Sequence, residues 1–553
     1  MTRRLETTLV PLGALVLAAV MTWPTLRDPR HTIAGDLWDP SLQAWQMAWS
    51  GHAVTHDPGQ LWQSNAFHSE HYGFAYSDTL LGYLPAGLLG HGMTAALLRY
   101  NIMFVLVFAL AFVGAYALTR QLGANVAGAA VAGAAFAYAP WRWAQDNHLH
   151  VLSTGGAALA LAMLARGHGY SLRDGYQPDR VKPGWALAGW LVAAWQMTIG
   201  FGIGLPFAYA LGLITAVALV RWWRRRPPVP RRLLGCDVGG AVAFVAVSAA
   251  MAYPYLKMIS IYPYGRRTPG DIKFYSPAFL GFFTAPNTDV VWGAAHTPLR
   301  NWLYHGHGGL EAVLLPGFVL YALAGIGLFV NVWPRRQRIT LAVALLVVGT
   351  LAMGMRAPVT VFYRALLVAL PGWDAVRTPG RLIVWITLLL AVLAAGAVTA
   401  FGEHKRWTAV LCLLVLVEGI QSIPTPTVPR PPVAFAQLEG PVLVLPSNYK
   451  DDELTMLWST DGFVALENGS SGLLPTGLVK TRDVTAAFPD PASVAYLRGL
   501  GVKTVLVLRR PNAQRILATP PPGTTPPPDA LTAPVAGLGV SREIRPDVII
   551  FHL

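Results

Sequence analysis

Two carboxylates stand three residues apart near the start of the chain, in the segment Gly35-Asp36-Leu37-Trp38-Asp39-Pro40. A carboxylate near apolar walls has a raised pKa and can act as a general base. We therefore consider Asp36 and Asp39 as candidate catalytic residues, with Asp36 as a general base or metal ligand. The alternative is structural, because aspartates also form turns and cap helices.

A helix is predicted to begin at Pro40, and Asp39 is placed to cap it. Its apolar positions are Leu42, Trp45, Met47 and Trp49. Aromatic residues are enriched at the boundary between membrane and water. We therefore expect this helix to lie flat on the outer leaflet.

A second polar group falls between two apolar runs, at Asp146-Asn147-His148-Leu149-His150. Polar side chains at that depth are costly and usually line a cavity. Asp146, His148 and His150 are therefore candidate substrate-binding residues. A carboxylate and an imidazole can also bind a divalent metal, so Asp146 and His148, with Asp36, are candidate metal ligands. The alternative is that these polar residues have no binding role and simply keep the loop in contact with water.

Cations form a third group of candidates, in two later segments. A guanidinium fork matches the oxygens of a phosphate group, and the phosphate of a lipid-linked substrate would explain basic residues on the outer face. Contacts with ordinary lipid headgroups are the alternative. The candidates for substrate binding are Arg266, Arg267, Lys273, Arg377 and Arg381.

The elements that must position these residues are apolar helices. The chain has 553 residues, of which 54% are hydrophobic and only 13% charged. Apolar runs of about 17–22 residues are long enough to cross about 30 Å of hydrocarbon as helices. About eleven spans are predicted, at 9–26, 98–118, 124–140, 151–166, 184–199, 203–221, 235–256, 311–331, 339–355, 381–401 and 407–423.

Loop charge sets the predicted orientation. Inner loops of membrane proteins are rich in Lys and Arg, and a cytoplasmic N-terminus puts every short basic connection inside. The outer side then holds loops 27–97 and 257–310 and the C-terminal tail. The net charge of +14 is explained by these anchors, so we do not expect nucleic-acid binding. The inner cations are Arg3, Arg4, Arg120, Arg166, Arg173, Arg180, Lys182, Arg221 to Arg232, Arg335, Arg336, Arg338, Lys405 and Arg406.

The segment Thr79 to Leu89 is apolar, but it is short and contains Pro85. Counting it as a span would reverse every later loop and export the basic connections. We therefore predict a re-entrant or interfacial helix within the first outer loop.

The tail follows a proline-rich linker, 424–432, which is typical of a semi-rigid spacer. Residues 442–445, 502–508 and 548–551 are predicted strands, and 493–500 is a predicted helix. The sequence thus predicts a membrane domain over residues 1–428 and a small extracytoplasmic α/β domain over 429–553.

This pattern resembles the GT-C superfamily of membrane glycosyltransferases. The resemblance rests on an inside N-terminus, one span, and a long outer loop with Asp36 and Asp39 near its start. Residues 76–99 are similar to the family's re-entrant segment and following span. Asp146 and His148 stand where oligosaccharyltransferase-like members carry a second acidic motif, although the motif here is not Asp-x-Asp. The stretches 377–381 and 467–472 are similar to those of large bacterial membrane proteins.

The resemblance implies a polyprenyl-phosphate-sugar donor, an extracytoplasmic acceptor and inverting transfer in a bacterial plasma membrane. It implies that Asp36 orients or deprotonates the acceptor, that Asp39 assists, and that Arg266, Arg267 or Arg381 stabilises the departing phosphate. Mg²⁺ or Mn²⁺ is the cofactor to consider. Two alternatives are a lipid-linked oligosaccharide transporter or polymerase, and a non-catalytic cell-envelope scaffold.

Overall fold

The computed structural model describes residues 3–305, 309–356, 358–402, 405–512 and 523–553. The chain is mostly helical, and it also contains six short strands in these ranges. The helices are α1 (Arg3–Met21), α2 (Asp39–His56), α3 (Leu84–Gly87), α4 (Gly92–Leu122), α5 (Val126–Ala137), α6 (Leu149–Leu152), α7 (Gly155–Gly167), α8 (Pro183–Met197), α9 (Phe201–Arg225), α10 (Arg231–Ile261), α11 (Pro269–Phe274), α12 (Thr297–Tyr304), α13 (Phe318–Phe329), α14 (Arg335–Ala352), α15 (Thr360–Ala369), α16 (Ile383–Ala400), α17 (Lys405–Glu418), α18 (Tyr449–Trp458), α19 (Thr476–Val484) and α20 (Pro491–Gly499). The strands are β1 (Tyr170–Ser171), β2 (Gly175–Tyr176), β3 (Val442–Leu445), β4 (Thr504–Leu508), β5 (Ser541–Ile544) and β6 (Val548–His552).

Several helices are long and apolar enough to cross a membrane, which makes the chain a multi-pass membrane protein. Five segments of the described chain meet this standard: Gly92–Leu122, Leu149–Gly167, Phe201–Arg225, Arg231–Ile261 and Pro379–Ala400. Each of the eleven predicted runs contains a helix, but α5 has only 12 residues and α8 has 15. At about 1.5 Å per residue these reach about 18–23 Å. The count of eleven spans therefore stays a prediction.

The chain forms two compact units. Unit 1 contains Met1–Pro24, Met103–Met251 and Arg266–Ile423. Its helices approach closely because glycines stand at the contacts. A Cβ on Gly128 of α5 would lie 2.3 Å from the carbonyl oxygen of Ala395 in α16, and one on Gly114 of α4 would lie 2.4 Å from that of Gly155. These positions therefore require glycine.

Unit 2 contains Thr25–Ile102, Ala252–Gly265 and Pro424–Leu553. Its sheet has the order β3-β4-β6-β5, with β3 and β4 parallel and the other pairs antiparallel. This confirms that the tail includes a small sheet domain. The predicted strands at 442–445, 502–508 and 548–551 correspond to β3, β4 and β6, and the predicted helix at 493–500 corresponds to α20.

The tail does not make up unit 2 alone, because the first predicted outer loop joins it through backbone hydrogen bonds. Ile33 N–H donates to Pro426 O at 3.2 Å, and Leu466 N–H donates to Asn65 O at 2.7 Å. Phe67 N–H donates to Asn468 O at 3.1 Å. Residues far apart in sequence are thus held in one unit.

Helix α2 differs from its prediction in two ways. Trp38 is its N-cap residue, and Asp39 is its first helical residue rather than its cap. Leu42, Trp45 and Trp49 are all buried, and so are nearly all residues of its first three turns. The expectation of a helix lying flat on the outer leaflet was therefore wrong, since a surface helix would leave one face uncovered.

The segment after α2 contains a four-residue α-helix, α3, which is too short to cross a membrane by itself. Its re-entrant or interfacial placement stays a prediction. A Cβ on Gly51 of α2 would lie 2.1 Å from the carbonyl oxygen of Gly87. The missing side chain lets α2 and α3 pack backbone to backbone.

Candidate active site

Asp36 lies in a turn that is fixed on both sides within unit 2. Its Oδ1 accepts the N–H of Trp38 at 2.8 Å, so the carboxylate closes an Asx-type turn ahead of α2. Gly35 adopts a φ of 92° and donates its N–H to Pro424 O at 3.0 Å. Ala34 N–H donates to Asn101 Oδ1 at 3.1 Å. Asp36 therefore lies on a loop whose position is fixed by hydrogen bonds.

Glu453 joins these carboxylates, although its sequence context did not single it out. It lies on α18, which packs against α2. The N-cap residue of α18 is Asn448, whose side-chain oxygen accepts the N–H groups of Lys450 and Asp451. An asparagine followed by acidic residues in the first turn is a helix-start signal, and it could have identified α18. We call Asp36, Asp39 and Glu453 the acidic cluster.

The side chain of Glu453 is buried, at 5% exposure. Its Oε1 accepts the hydroxyl of Ser470 at 3.2 Å, while its Oε2 has no hydrogen-bond partner among the described residues. Burial raises the pKa of Glu453 well above its usual value, and the negative charges of Asp39 and Asp36 raise it further. The ammonium of Lys450 acts in the opposite direction.

Lys450 is held over aromatic rings. Its Nζ lies 4.8 Å from the ring centroid of Trp38 and 5.0 Å from that of Tyr449. Cation–π attraction of this kind fixes an ammonium group without neutralising it. Lys450 therefore supplies one positive charge beside three carboxylates.

The neighbouring residue, Asp452, is paired where Glu453 is not. Arg482 Nη2 donates to Asp452 Oδ2 at 2.8 Å, and Ser447 Oγ donates to the same oxygen at 2.8 Å. Asn468 Nδ2 donates to Asp452 Oδ1 at 2.7 Å. This buried network fixes α18 to the loops around it, and hence fixes the position of Glu453.

Unit 1 brings three of the predicted residues together around a buried ion pair. Arg381 Nη2 donates to Glu311 Oε1 at 2.6 Å, and Arg381 Nη1 lies 3.4 Å from His150 Nε2. Gln145 Nε2 donates to Glu311 Oε2 at 2.8 Å. His148 stands edge to face with His150, at 5.6 Å between ring centroids. We call these five residues the Arg381 cluster.

Glu311 was not singled out from the sequence, yet it organises this cluster. Burial acts to raise the pKa of its carboxyl group, but the charges of Arg381 and His148 and the hydrogen bonds from Arg381 and Gln145 lower that pKa to about 2. Glu311 is therefore ionised at neutral pH. Asp146 lies half-buried between Gln145 and His148 on the same loop.

Arg267 and Arg377 form a second cationic group of unit 1. The guanidinium of Arg377 lies over the ring of Tyr275, 4.6 Å from its centroid. Burial and the like charge of Arg377 lower the pKa of Arg267. Arg266 and Lys273 are exposed. The carboxylate of Asp271 acts on both guanidinium groups and offsets part of their repulsion.

No group of three or more His, Cys, Asp or Glu side chains within the described ranges converges as a metal site. Divalent cations such as Mg²⁺ take several oxygen ligands. The described side chains do not provide a complete donor set, and the metal role of Asp36, Asp146 and His148 stays a prediction.

The fold is similar to that of a solved membrane glycosyltransferase. The arabinofuranosyltransferase AftD from Mycobacteria matches with a TM-score of 0.55 and 16% identity, over 100% of this chain and 42% of that chain. The oligosaccharyltransferase AglB from Archaeoglobus fulgidus matches at a TM-score of 0.44 and 13% identity, over 91% of this chain and 70% of that one. ArnT from Cupriavidus metallidurans matches at 0.39 and 14% identity, over 99% and 97%.

AftD is a GT-C glycosyltransferase. The likeness to AftD confirms, at the level of the fold, the resemblance stated from the sequence. The chain spans less than half the length of AftD. No protein-family model and no curated protein sequence matches the chain.

Proposed function

We propose that the protein is a GT-C-type membrane glycosyltransferase. It moves a sugar from a polyprenyl-phosphate donor to an acceptor hydroxyl on the extracytoplasmic face of a bacterial plasma membrane, with inversion at the anomeric carbon. The observation that carries the proposal is the acidic cluster, in which the buried Glu453 lies on a helix packed against α2 and is acted on by the charges of Asp39 and Asp36. The AftD-like fold supports the same class of reaction.

The chemistry has two requirements. An acceptor hydroxyl must be oriented and must lose its proton as it attacks, which is the role of a positioned carboxylate. Asp36 meets the orienting requirement because its turn is fixed by hydrogen bonds. A single in-line displacement by that oxygen inverts the anomeric carbon.

The leaving phosphate gains negative charge in the transition state and needs cations rather than an acid. Arg267 and Arg377 are suited to it, because their two positive charges exceed the single negative charge of Asp271, which acts on both. Arg381 is already paired with Glu311 at 2.6 Å. We therefore assign Arg381, with His150, to holding the loop that carries Asp146 and His148. These two are retained as sugar-binding residues.

The test is transfer by purified protein in proteoliposomes supplied with labelled polyprenyl-phosphate sugars. Arabinofuranose is the first sugar to try, since AftD is named an arabinofuranosyltransferase. Asp36→Asn should lower the transfer rate by about 10²–10⁴-fold. Asp57→Asn is the matched control, because Asp57 is an exposed carboxylate at the other end of α2. Full activity in Asp36→Asn would reject the assigned role.

A further inference from the structure

The carboxylates of the acidic cluster are not equivalent, and their hydrogen bonds tell them apart. Asp36 uses Oδ1 to accept the N–H of Trp38 at 2.8 Å. The turn holds this carboxylate in one position, which suits it to orienting a hydroxyl.

Glu453 has the opposite character. Its Oε2 is buried and has no hydrogen-bond partner among the residues that the structure describes. Buried polar atoms in folded proteins are nearly always hydrogen-bonded, so an exception calls for an explanation. Among the charged groups that act on Glu453 are Asp39 of α2, Asp36 of the preceding turn, and Lys450 of its own helix. Asp39 and Asp36 disfavour a negative charge on Glu453, and Lys450 favours it.

A proton on Glu453 removes its repulsion from the charges of Asp39 and Asp36. We propose that Glu453 is the catalytic base of the transfer reaction and takes the acceptor proton on Oε2, while Asp36 orients the acceptor hydroxyl. This inference rests on the proposed function and extends it, because it gives the C-terminal tail a residue in the reaction itself.

The acceptor O–H bond breaks and its proton passes to Glu453 Oε2, while the acceptor oxygen forms a bond to the anomeric carbon. The bond between that carbon and the phosphate oxygen breaks, and its electron pair leaves with the phosphate. Glu453 then returns the proton to water. Its carboxylate must be ionised before each turnover, so activity should fall as the pH falls through a pKa that lies above the usual carboxyl range.

The test compares Glu453→Gln, Glu453→Asp and the native protein, with kcat and the KM for donor measured across pH in proteoliposomes. Glu453→Gln should lower kcat by about 10²–10⁴-fold, leave the donor KM unchanged and remove the loss of activity on the acidic side. Glu453→Asp should keep that acidic-side loss with a reduced kcat, because it keeps a carboxyl group on a shorter side chain.

The matched control is Glu467→Gln. Glu467 is another buried carboxylate of unit 2 whose pKa is raised by burial, but Ser69 and Thr481 donate hydrogen bonds to it. It should retain kcat and its pH profile. An equal loss in both glutamine variants would overturn the assignment, since it would show a structural effect of losing a buried carboxylate.

The two proposals fail in different ways. An active native protein whose Glu453→Gln variant keeps its kcat and its acidic-side profile would reject the role of Glu453 and leave the transferase intact. A native protein that transfers none of the labelled sugars would reject the transferase, and the role of Glu453 with it.

Discussion

In unit 1 the carboxylate of Glu311 lies against the guanidinium of Arg381, whereas in unit 2 the carboxylate of Glu453 lies near two more carboxylates. Both glutamates are buried. The first has its pKa lowered to about 2 by its partners, and the second has its pKa raised. The same residue type is thus stabilised as an anion in one unit and destabilised as an anion in the other.

The difference distinguishes buried charged residues that stabilise the fold from those that take part in the reaction. A buried pair with good geometry offsets the cost of removing both charges from water. A buried carboxylate beside like charges is destabilising, and proteins keep such groups mainly where a perturbed pKa has a use. We therefore expect the Arg381 cluster to matter most for stability and the acidic cluster to matter most for the reaction.

The largest expected effect on stability comes from breaking the pair in unit 1. Glu311→Gln leaves the guanidinium of Arg381 buried without an opposite charge, and such losses cost about 3–5 kcal/mol. The midpoint of thermal unfolding of the purified protein in one detergent should fall clearly. Protein that retains its native midpoint would contradict the structural role given to the pair.

Two variants sharpen this first prediction. Glu311→Leu combined with Arg381→Met removes both charges and should recover most of the lost stability. Asp174→Asn breaks the exposed pair of Asp174 with Arg180, whose side chains are 42% and 64% exposed. Exposed pairs contribute about 0–1 kcal/mol, so that midpoint should hardly move.

The second prediction concerns donor binding. Arg377→Gln removes one of the two like charges proposed to hold the lipid phosphate, and hydrogen bonds to charged groups contribute about 1.5–3 kcal/mol. The donor KM should rise by about 10–100-fold. Arg364→Gln, at an exposed arginine of α15, is the control and should leave KM unchanged. An unchanged KM in Arg377→Gln would remove this residue from the phosphate site.

Local sequence signals predicted much of this architecture. Long apolar runs predicted α4, α9, α10 and α16, because the length of a hydrocarbon-spanning helix is fixed by the bilayer. Short β-branched runs bounded by turn residues predicted β3, β4 and β6. Asp36 and Asp39 were found because they are close in sequence.

The site residues that could not be identified from the sequence, Glu453 and Glu311, depend on contacts between distant parts of the chain. Glu453 and Asp36 are more than 400 residues apart, and nothing near Glu453 reveals that α18 packs against α2. Glu311 similarly meets Arg381 across 70 residues. Helix α2 was placed on the membrane surface because its aromatic residues suit that boundary, but in the fold they are buried. Burial is a tertiary property that residue type alone does not determine.

The third prediction tests whether α2 must hold its place for the acidic cluster to form. Gly51→Ala puts a Cβ 2.1 Å from the carbonyl oxygen of Gly87, so the two backbones must separate. Overpacking of this kind costs about 1–3 kcal/mol. The variant should unfold at a lower temperature and transfer sugar more slowly. Gly499→Ala, where a Cβ meets nothing within 4 Å, should show neither change.

The smallest effect, and one of opposite sign, is expected from Glu453→Gln on stability. The pKa of Glu453 is raised in the folded protein, first by burial and then by Asp39 and Asp36, from a usual value of about 4.5. Folding stability linked to this group is therefore fully present below pH 4.5 and is lost as the pH rises through the folded-state pKa. Glutamine carries no charge and avoids that loss.

The variant should therefore unfold at a higher temperature than the native protein at pH 7.5, with the difference shrinking as the pH approaches 4.5. Unfolding midpoints measured over that pH range provide the check. Glu467→Gln should not show the gain, because the amide nitrogen that replaces one carboxylate oxygen cannot accept the backbone N–H of Ser69 while the other oxygen accepts from Ser69 Oγ and Thr481 Oγ1. A protein that loses activity and gains stability from the same substitution keeps the carboxylate for its chemistry, whereas a loss of both would place Glu453 with Glu311 among the groups that hold the fold.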